Sequence, residues 1–393
     1  MRNFLILCGA CLLCLQWPFL AHGADLSLVM ATLLPGIAIC GAAFLLSWGS
    51  EVAQLDIPQS LAFAFVALVA VLPEYAVDLY FAWMAGKDPS YSPYAIANMT
   101  GANRILIGVG WAGLSLIYWL RSRKKTISLN RSHQTELIAL MFATLYSFML
   151  PLKGQLDISD TIILLAIFAF YLVQASKSHH EEPEFDKGVA HMLSTMRKAP
   201  RRLAVLVLFI IAGVGIFTAS EPFAEGLLGL GGHYGIDRFL LVQWLAPIAS
   251  ESPEFLIAAI FAWRLKPTAG LATLVSSKVN QWTLLVGMLP VAYSVSSGQL
   301  SVMHFDARQV EEVFLTAAQS LFALIMILNL SFSLWEAFAL FGLFSLQLFF
   351  PSMHARYLFG ILYIALSIFI VLKSPEHRKQ LIQIFDVFKT KRI

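Results

Sequence analysis

Leu72-Pro73-Glu74-Tyr75, followed by Phe81-Ala82-Trp83, lies in the first half of the chain, and Ser252-Pro253-Glu254-Phe255, followed by Phe261-Ala262-Trp263, lies in the second. The internal spacing is the same, and the copies are 180 residues apart. Downstream, Gly101-Ala102-Asn103-Arg104 has a counterpart in Lys278-Val279-Asn280-Gln281, shifted by three residues. One Pro-Glu pair recurs easily by chance. Pro-Glu-aromatic and Phe-Ala-Trp recurring together in one register mark an internal repeat.

The surroundings of these motifs are apolar. Of 393 residues, 58% are hydrophobic and 13% charged, and the mean hydropathy is +0.73. Soluble domains carry about 25% charged residues, so the composition describes an all-α polytopic membrane protein and excludes disordered, collagenous and coiled-coil chains. The net charge of +3 comes with no basic face interleaved with aromatics, so no nucleic-acid partner is expected. Cys8, Cys11 and Cys14 crowd an apolar run without the second pair or nearby histidines of a metal site, and read as small apolar residues.

Residues 1–23 have the form of a signal peptide: Arg2, an apolar stretch from Phe4 to Leu20, then Ala21-His22-Gly23. The other reading is an uncleaved first helix or anchor. Beyond it, eleven stretches approach the roughly 20 apolar residues that cross a bilayer, near 27–49, 58–85, 93–120, 134–151, 158–176, 202–220, 238–264, 268–296, 310–330, 333–350 and 355–373. Threading the chain through them puts four basic segments on one side. These are the loop with Arg121, Arg123, Lys124, Lys125 and Arg131, the loop from Lys177 to Arg202, the Arg264/Lys266 turn, and the tail from Lys373 to Arg392. The positive-inside rule makes that side the cytoplasm, and the expected location is the inner or plasma membrane with a cytoplasmic C-terminus. The 50–57 loop, with Glu51 and Asp56, is the discordant element.

The first Pro-Glu falls on the second span and the other on the seventh. The copies are offset by five spans, an odd number, so they cross in opposite directions. Inverted repeats with helices interrupted at mid-membrane are the construction of secondary transporters, which bind ions at the repeat interface. The expected organisation is a signal or anchor (1–23), a first five-helix repeat (24–176), a cytoplasmic linker (177–201), an inverted second repeat (202–350), and an extra helix with a basic tail (351–393). His179, His180, Glu181, Glu182 and Glu184 in the linker read as solvated charge.

A carboxylate inside a span marks a functional site by default. Proline removes a backbone donor and frees carbonyls in the preceding turn. Pro-Glu therefore supplies a carboxylate and unpaired carbonyl oxygens at one level, a set suited to a hard cation. Asp78 lies one helical turn beyond Glu74, on the same face. The third span offers Asn98, Thr100 and Asn103. The eighth offers Thr273, Ser276, Ser277, Asn280 and Thr283 on one face, as ligands or as glue between helices.

In these motifs the chain resembles the cation/Ca2+ exchanger superfamily, whose two α-repeats read Gly-Thr-Ser-x-Pro-Glu and then Gly-Asn-x-x-Gly-Ser-Asn. Here the first copy reads Val69-Ala70-Val71-Leu72-Pro73-Glu74 and Ala97-Asn98-Met99-Thr100-Gly101-Ala102-Asn103. The second reads Ala249-Ser250-Glu251-Ser252-Pro253-Glu254 and Leu274-Val275-Ser276-Ser277-Lys278-Val279-Asn280. The resemblance implies the Na+/Ca2+ exchanger fold, a cation antiporter, and Glu74, Glu254 and Asn98 as ion ligands. With the residues on the same helices, Ser250, Glu251, Ser277, Asn103, Asn280 and Asp78 complete the expected ion-binding set. The departures are Ala70 and Val71 in place of hydroxyls, Glu251 in place of serine, and Lys278 in place of glycine.

Glu74, Asp78, Glu251, Glu254, Arg104 and Lys278 leave an excess of negative charge in the spans, and bare burial of it is prohibitive. One divalent ion, two Na+ or two protons would neutralise it. Lys278 and Arg104 are the charge-compensating residues. Lys278, paired with Glu251 or Asp78, would stand where a relative holds a cation, which makes Na+ (or another cation)/H+ antiport the alternative to Na+/Ca2+-type exchange. No cofactor is expected beyond the transported Na+, Ca2+ or H+, and the partners are inorganic cations and the bilayer. Neither Gly-x-Ser-x-Gly nor His-Glu-x-x-His occurs, which argues against an enzyme. A channel would rather build a symmetric pore.

Overall fold

The computed structural model describes residues 1–20, 26–56, 69, 72–130, 133–176 and 188–383. Ala21–Gly23, Ala70, Val71, Arg131 and the linker's His179, His180, Glu181, Glu182 and Glu184 fall outside that set. The described chain is almost wholly helical. In order it forms α1 (Arg2–Leu20), α2 (Leu28–Ala53), α3 (Leu72–Lys87), α4 (Ser92–Ile105), α5 (Ala112–Ser122), α6 (Gln134–Ser147), α7 (Met149–Lys153) and α8 (Ile158–Ala175). There follow α9 (Val189–Ser194), α10 (Lys198–Tyr234), α11 (Arg238–Trp263), α12 (Pro267–Asn280), α13 (Val286–Ser297), α14 (Ala307–Ile327), α15 (Leu334–Leu348), α16 (Met353–Lys373) and α17 (Pro375–Gln383). Each expected span contains a helix, residues 58–68, 70 and 71 of the second lying outside the described set.

Among the described residues, eight helical segments are long and apolar enough to cross a membrane, including Pro89–Ser122, which runs through α4 and α5, and the 37-residue α10. The two parts of α11, Arg238–Ser252 and Glu254–Trp263, make a further span bent by 56° at the Pro-Glu step, where proline breaks the hydrogen-bond ladder.

By its contacts the chain forms two compact units. The first comprises Met1–Ala102, Leu172–Pro253 and Val291–Gln299; the second comprises Asn103–Tyr171, Glu254–Pro290 and Leu300–Ile393. Each unit draws on both repeats.

In the first unit, α1, α2 and α10 pack through small residues, which let helices approach closely in lipid. Gly36 lies against Phe223, Gly49 against Phe209, and Gly226 against Thr32. The segment expected to be a leader is part of this packing. Cys14 is buried between Gly41 and Gly215 and donates from Sγ to the Ile211 carbonyl. Trp17 Nε1 donates to the Thr218 carbonyl at 3.0 Å, and Asn3 Nδ2 to the Gly188 carbonyl at 3.0 Å.

The discordant Asp56 also finds its partners here. Its carboxylate accepts from Arg201 Nε (2.8 Å), Arg201 Nη2 (3.0 Å) and Arg202 Nε (3.1 Å). The acidic loop is thus bound to the basic residues at the head of α10, and both belong to the side assigned to the cytoplasm. The Arg201 hydrogen bond, helped by Arg202, holds the Asp56 carboxyl below its usual range despite partial burial.

The second unit carries two short antiparallel ribbons. β1 (Thr126–Ser128) pairs with β4 (Ser331–Ser333), and β2 (Gln155–Leu156) pairs with β3 (Met303–His304). β1 is the loop between the third and fourth spans of the first repeat, and β3 is the equivalent loop of the second. β2 and β4 are likewise equivalent. Exchanging the repeats therefore turns one ribbon into the other. One span separates β1 from β2, so the ribbons belong to opposite membrane faces, as inversion requires. The repeated tryptophans follow the same rule. Lys87 Nζ lies 5.5 Å from the ring centre of Trp83, and the Arg121 guanidinium 5.4 Å from that of Trp263. Each pair is partly exposed at a helix end, where aromatic belts form.

Candidate ion-binding site

In the first unit, Pro73-Glu74 opens α3, and Glu74 is buried at 4% exposure. One turn on, Asp78 is fully buried and faces Asn98 of α4. Neither oxygen of Asp78, nor either polar atom of Asn98, has a well-formed hydrogen bond among the described residues. Buried polar groups are nearly always satisfied, so a carboxylate and an amide held this way are suited to receive a cation or a proton. On α11, Glu251 is buried, and the Ser250 hydroxyl turns back to the carbonyls of Ala246 and Pro247 in its own helix.

α4 is held against α11 by backbone contact. A Cβ on Gly101 would collide with the carbonyl oxygen of Gln243, and next to it Gln243 Nε2 donates to Thr100 Oγ1 at 3.2 Å. The glycine of the repeat motif is thus a spacer that sets the level of Asn98.

In the second unit, Glu254 keeps some accessible surface, while its Oε2 is buried without a partner among the described residues. Ser277, Lys278 and Asn280 are buried on α12. Lys278 donates from Nζ to Asn103 Oδ1 at 2.6 Å and to the Asn103 carbonyl at 3.3 Å, and lies 4.5 Å from the ring centre of Trp282. The side-chain oxygen of Asn103 thus serves a tethered ammonium. Glu251 and Asp78, the expected partners of Lys278, belong to the first unit.

The eighth-span stripe divides. The Ser276 hydroxyl is 2.6 Å from that of Tyr171, a link between helices. Thr273 and Thr283 donate to carbonyls of their own helix. Ser277 and Asn280 remain as candidates.

Arg104 corrects the expected charge balance. It pairs with Glu312 of α14. Glu312 also pairs with Arg356 of α16, which donates to Glu311 at 2.8 Å. Glu311, Glu312 and Arg356 were missing from the intramembrane inventory. Their signal in the sequence is two consecutive carboxylates, Glu311 and Glu312, just inside the span at 310–330, and an arginine, Arg356, just inside the span at 355–373.

Both repeats change helical register after the shared asparagine. A π-helical turn spans Leu106–Trp111 after Asn103 and Gln281–Leu285 after Asn280. Such turns widen the helix, release a carbonyl from the regular ladder and often accompany functional sites. Just before the first of these turns, the carbonyl of Arg104 accepts from Gln319 Nε2 at 3.2 Å.

Inverted repeats, mid-span carboxylates beside prolines and a buried polar lining define an ion-transporting membrane protein, not an enzyme. The chain belongs to the sodium/calcium exchanger protein family, whose model matches residues 26–177 and 204–353. Among solved structures, the H+/Ca2+ exchanger CAX is 44% identical, with a TM-score of 0.94 over 99% of this chain and 98% of that one. The sodium–calcium exchanger NCX_Mj (16% identity, TM-score 0.55, 83% of this chain and 98% of that one) and native YfkE (15%, 0.60, 92% and 99%) share the fold. No curated protein matches the sequence.

Proposed function

We propose that this protein is a secondary antiporter that exchanges Ca2+ for protons by alternating access, with Glu74 and Glu254 as its acidic ligands. The observation that carries this reading is a repeated Pro-Glu carboxylate in a chain 44% identical, along 99% of its length, to a structure described as an H+/Ca2+ exchanger. Chemistry supports the pairing of ions. A carboxylate held out of water requires a bound cation or a proton, so the two compete for one set of oxygens. Asp78, Asn98, Glu251, Ser250, Ser277 and Asn280 complete the ligand set, and the protein resides in the inner or plasma membrane with its C-terminus in the cytoplasm.

Lys278 favours a second reading, monovalent cation/H+ antiport, because a buried ammonium on Asn103 supplies one positive charge permanently and lowers the charge that transported ions must bring. Proteoliposomes loaded to impose either a proton or a Na+ gradient, with uptake of radiolabelled Ca2+ and of Na+ measured, separate the readings. Proton-driven Ca2+ uptake, abolished in Glu74→Gln and in Glu254→Gln, is expected. Na+ uptake driven by protons without Ca2+ uptake would establish the second reading. Full activity in both variants would refute the assignment of the carboxylates.

A further inference from the structure

Arg104, Glu312, Arg356 and Glu311 form a chain of buried charges, 2%, 0%, 6% and 2% exposed. Two are positive and two negative, so the set is neutral. Its members come from α4, α14 and α16, and Arg356 lies beyond residue 353, where the family match ends. The chain does not stop at Arg104. The preceding residue, Asn103, receives the Lys278 ammonium on its side-chain oxygen, and the Arg104 carbonyl, two residues before the π-helical turn, is held by Gln319 of α14. A continuous polar path thus runs from Arg356 through Glu312 and Arg104 to Asn103 and Lys278, all in the second unit.

We propose that Arg356 is a positioning residue for the transport site: by neutralising Glu311 and Glu312 it leaves Arg104 seated on Glu312, which fixes the Asn103 turn and the place of the Lys278 ammonium. The proposal rests on the exchanger reading for its effect on transport, but not for its effect on Lys278. Simple fastening of α16 explains it less well. A buried neutral ion cluster is about as stable as apolar residues filling the same space, and apolar side chains would hold α16 without fixing the Asn103 turn. The second repeat shows the contrast: neutral Gln281 stands in the position of Arg104.

If Arg356 is lost, Glu311 and Glu312 compete for Arg104 with one negative charge in excess. If Glu311 is neutralised as well, the Arg104–Glu312 pair is again balanced. The test uses the full chain as Arg356→Met, Arg356→Lys and Arg356→Met/Glu311→Gln. One readout is the labelling rate of Lys278 by a membrane-permeant amine reagent, followed by mass spectrometry. The other is the KM and turnover of exchange in proteoliposomes. In folded Arg356→Met, Lys278 labels about tenfold faster and KM rises by about the same factor, the scale of coupling through such networks. Arg356→Lys and the double variant return both to within about threefold of wild type. Unchanged labelling of Lys278 in folded Arg356→Met overturns the proposal. If Arg356→Met does not fold, the double variant decides: wild-type labelling supports the proposal, and fast labelling in a folded protein overturns it. Absence of exchange in the wild type would refute the exchanger reading while the labelling result still stands.

Discussion

Replacing Gly101 by alanine tests the backbone contact that sets the level of Asn98. The added carbon would overlap the Gln243 carbonyl oxygen and lie 2.7 Å from the Gln243 carbonyl carbon and 2.9 Å from its Cγ. Two of these atoms are backbone, so relief requires α4 and the first half of α11 to part. Overpacking of this kind costs about 1–3 kcal/mol, and losing the adjacent Thr100–Gln243 hydrogen bond about 1 kcal/mol more. Alanine recovers up to about 1 kcal/mol of helix propensity, which leaves a net loss of about 2 kcal/mol. Gly113→Ala in α5 is the internal control, because nothing lies within 4 Å of its added carbon and only the propensity gain applies. Thermal unfolding in detergent, followed by size exclusion, should place Gly101→Ala clearly below wild type and Gly113→Ala at or above it. Exchange by Gly101→Ala vesicles should fall with the displaced Asn98. A Gly101→Ala protein as stable as Gly113→Ala, exchanging at the wild-type rate, would refute the reasoning.

Asp56→Asn should lower stability by about 1 kcal/mol or less at neutral pH, the scale of a partly exposed ion pair. Because the Asp56 carboxyl is held below its usual range, its contribution is complete above the unfolded value near pH 3.9 and fades as pH falls through the lower folded value. Wild type and variant should therefore differ equally at pH 7 and 5 and converge only in stronger acid; convergence already at pH 5 would contradict the pairing. Protein purified from membranes should still carry the Arg2–Leu20 peptide, since α1 is built into the packing of α2 and α10, and an N-terminus near residue 24 would show that this packing is lost on maturation. Lys278→Ala should change the number of cations moved per cycle more than the melting temperature; a folding defect with unchanged stoichiometry would remove Lys278 from the transport site.

The repeat was legible because proline and glutamate are rare inside spans and each announces itself without a partner. The span order was legible from loop Lys and Arg, and even the discordant Asp56 agreed once Arg201 and Arg202 were seen to hold it. Other features depend on tertiary placement. A leader and a packed first helix have the same apolar composition, and the contacts of Cys14, Trp17 and Asn3 with the first unit exist only in the folded chain. The π-helical turns after Asn103 and Asn280 are changes of hydrogen-bond register, which composition does not record. Arg104 looked like a counter-charge for the motif carboxylates on its half of the chain. Its partner Glu312 is 208 residues away, on a helix that carries no Pro-Glu motif.

The repeats agree where they meet the membrane surfaces and differ where they hold charge. The ribbons obey inversion, and Trp83 and Trp263 end equivalent helices, as they must if each half is to present the same interface to opposite faces. At the motif itself the register pairs Gly101 with Lys278 and Arg104 with Gln281. The first copy uses the absence of a side chain to bring α4 onto Gln243; the second fills the same register with an ammonium that reaches Asn103. Identical halves would make the inward- and outward-facing states of an alternating-access cycle equal in energy by symmetry. A difference in buried charge at two paired positions removes that equality, because any rearrangement of the halves then moves unlike charges through unlike surroundings. In the proposed cycle, the resting preference for one face is accordingly set by Lys278 and by the Arg104–Glu312 pair, while the two acidic ligands, Glu74 and Glu254, are common to both copies.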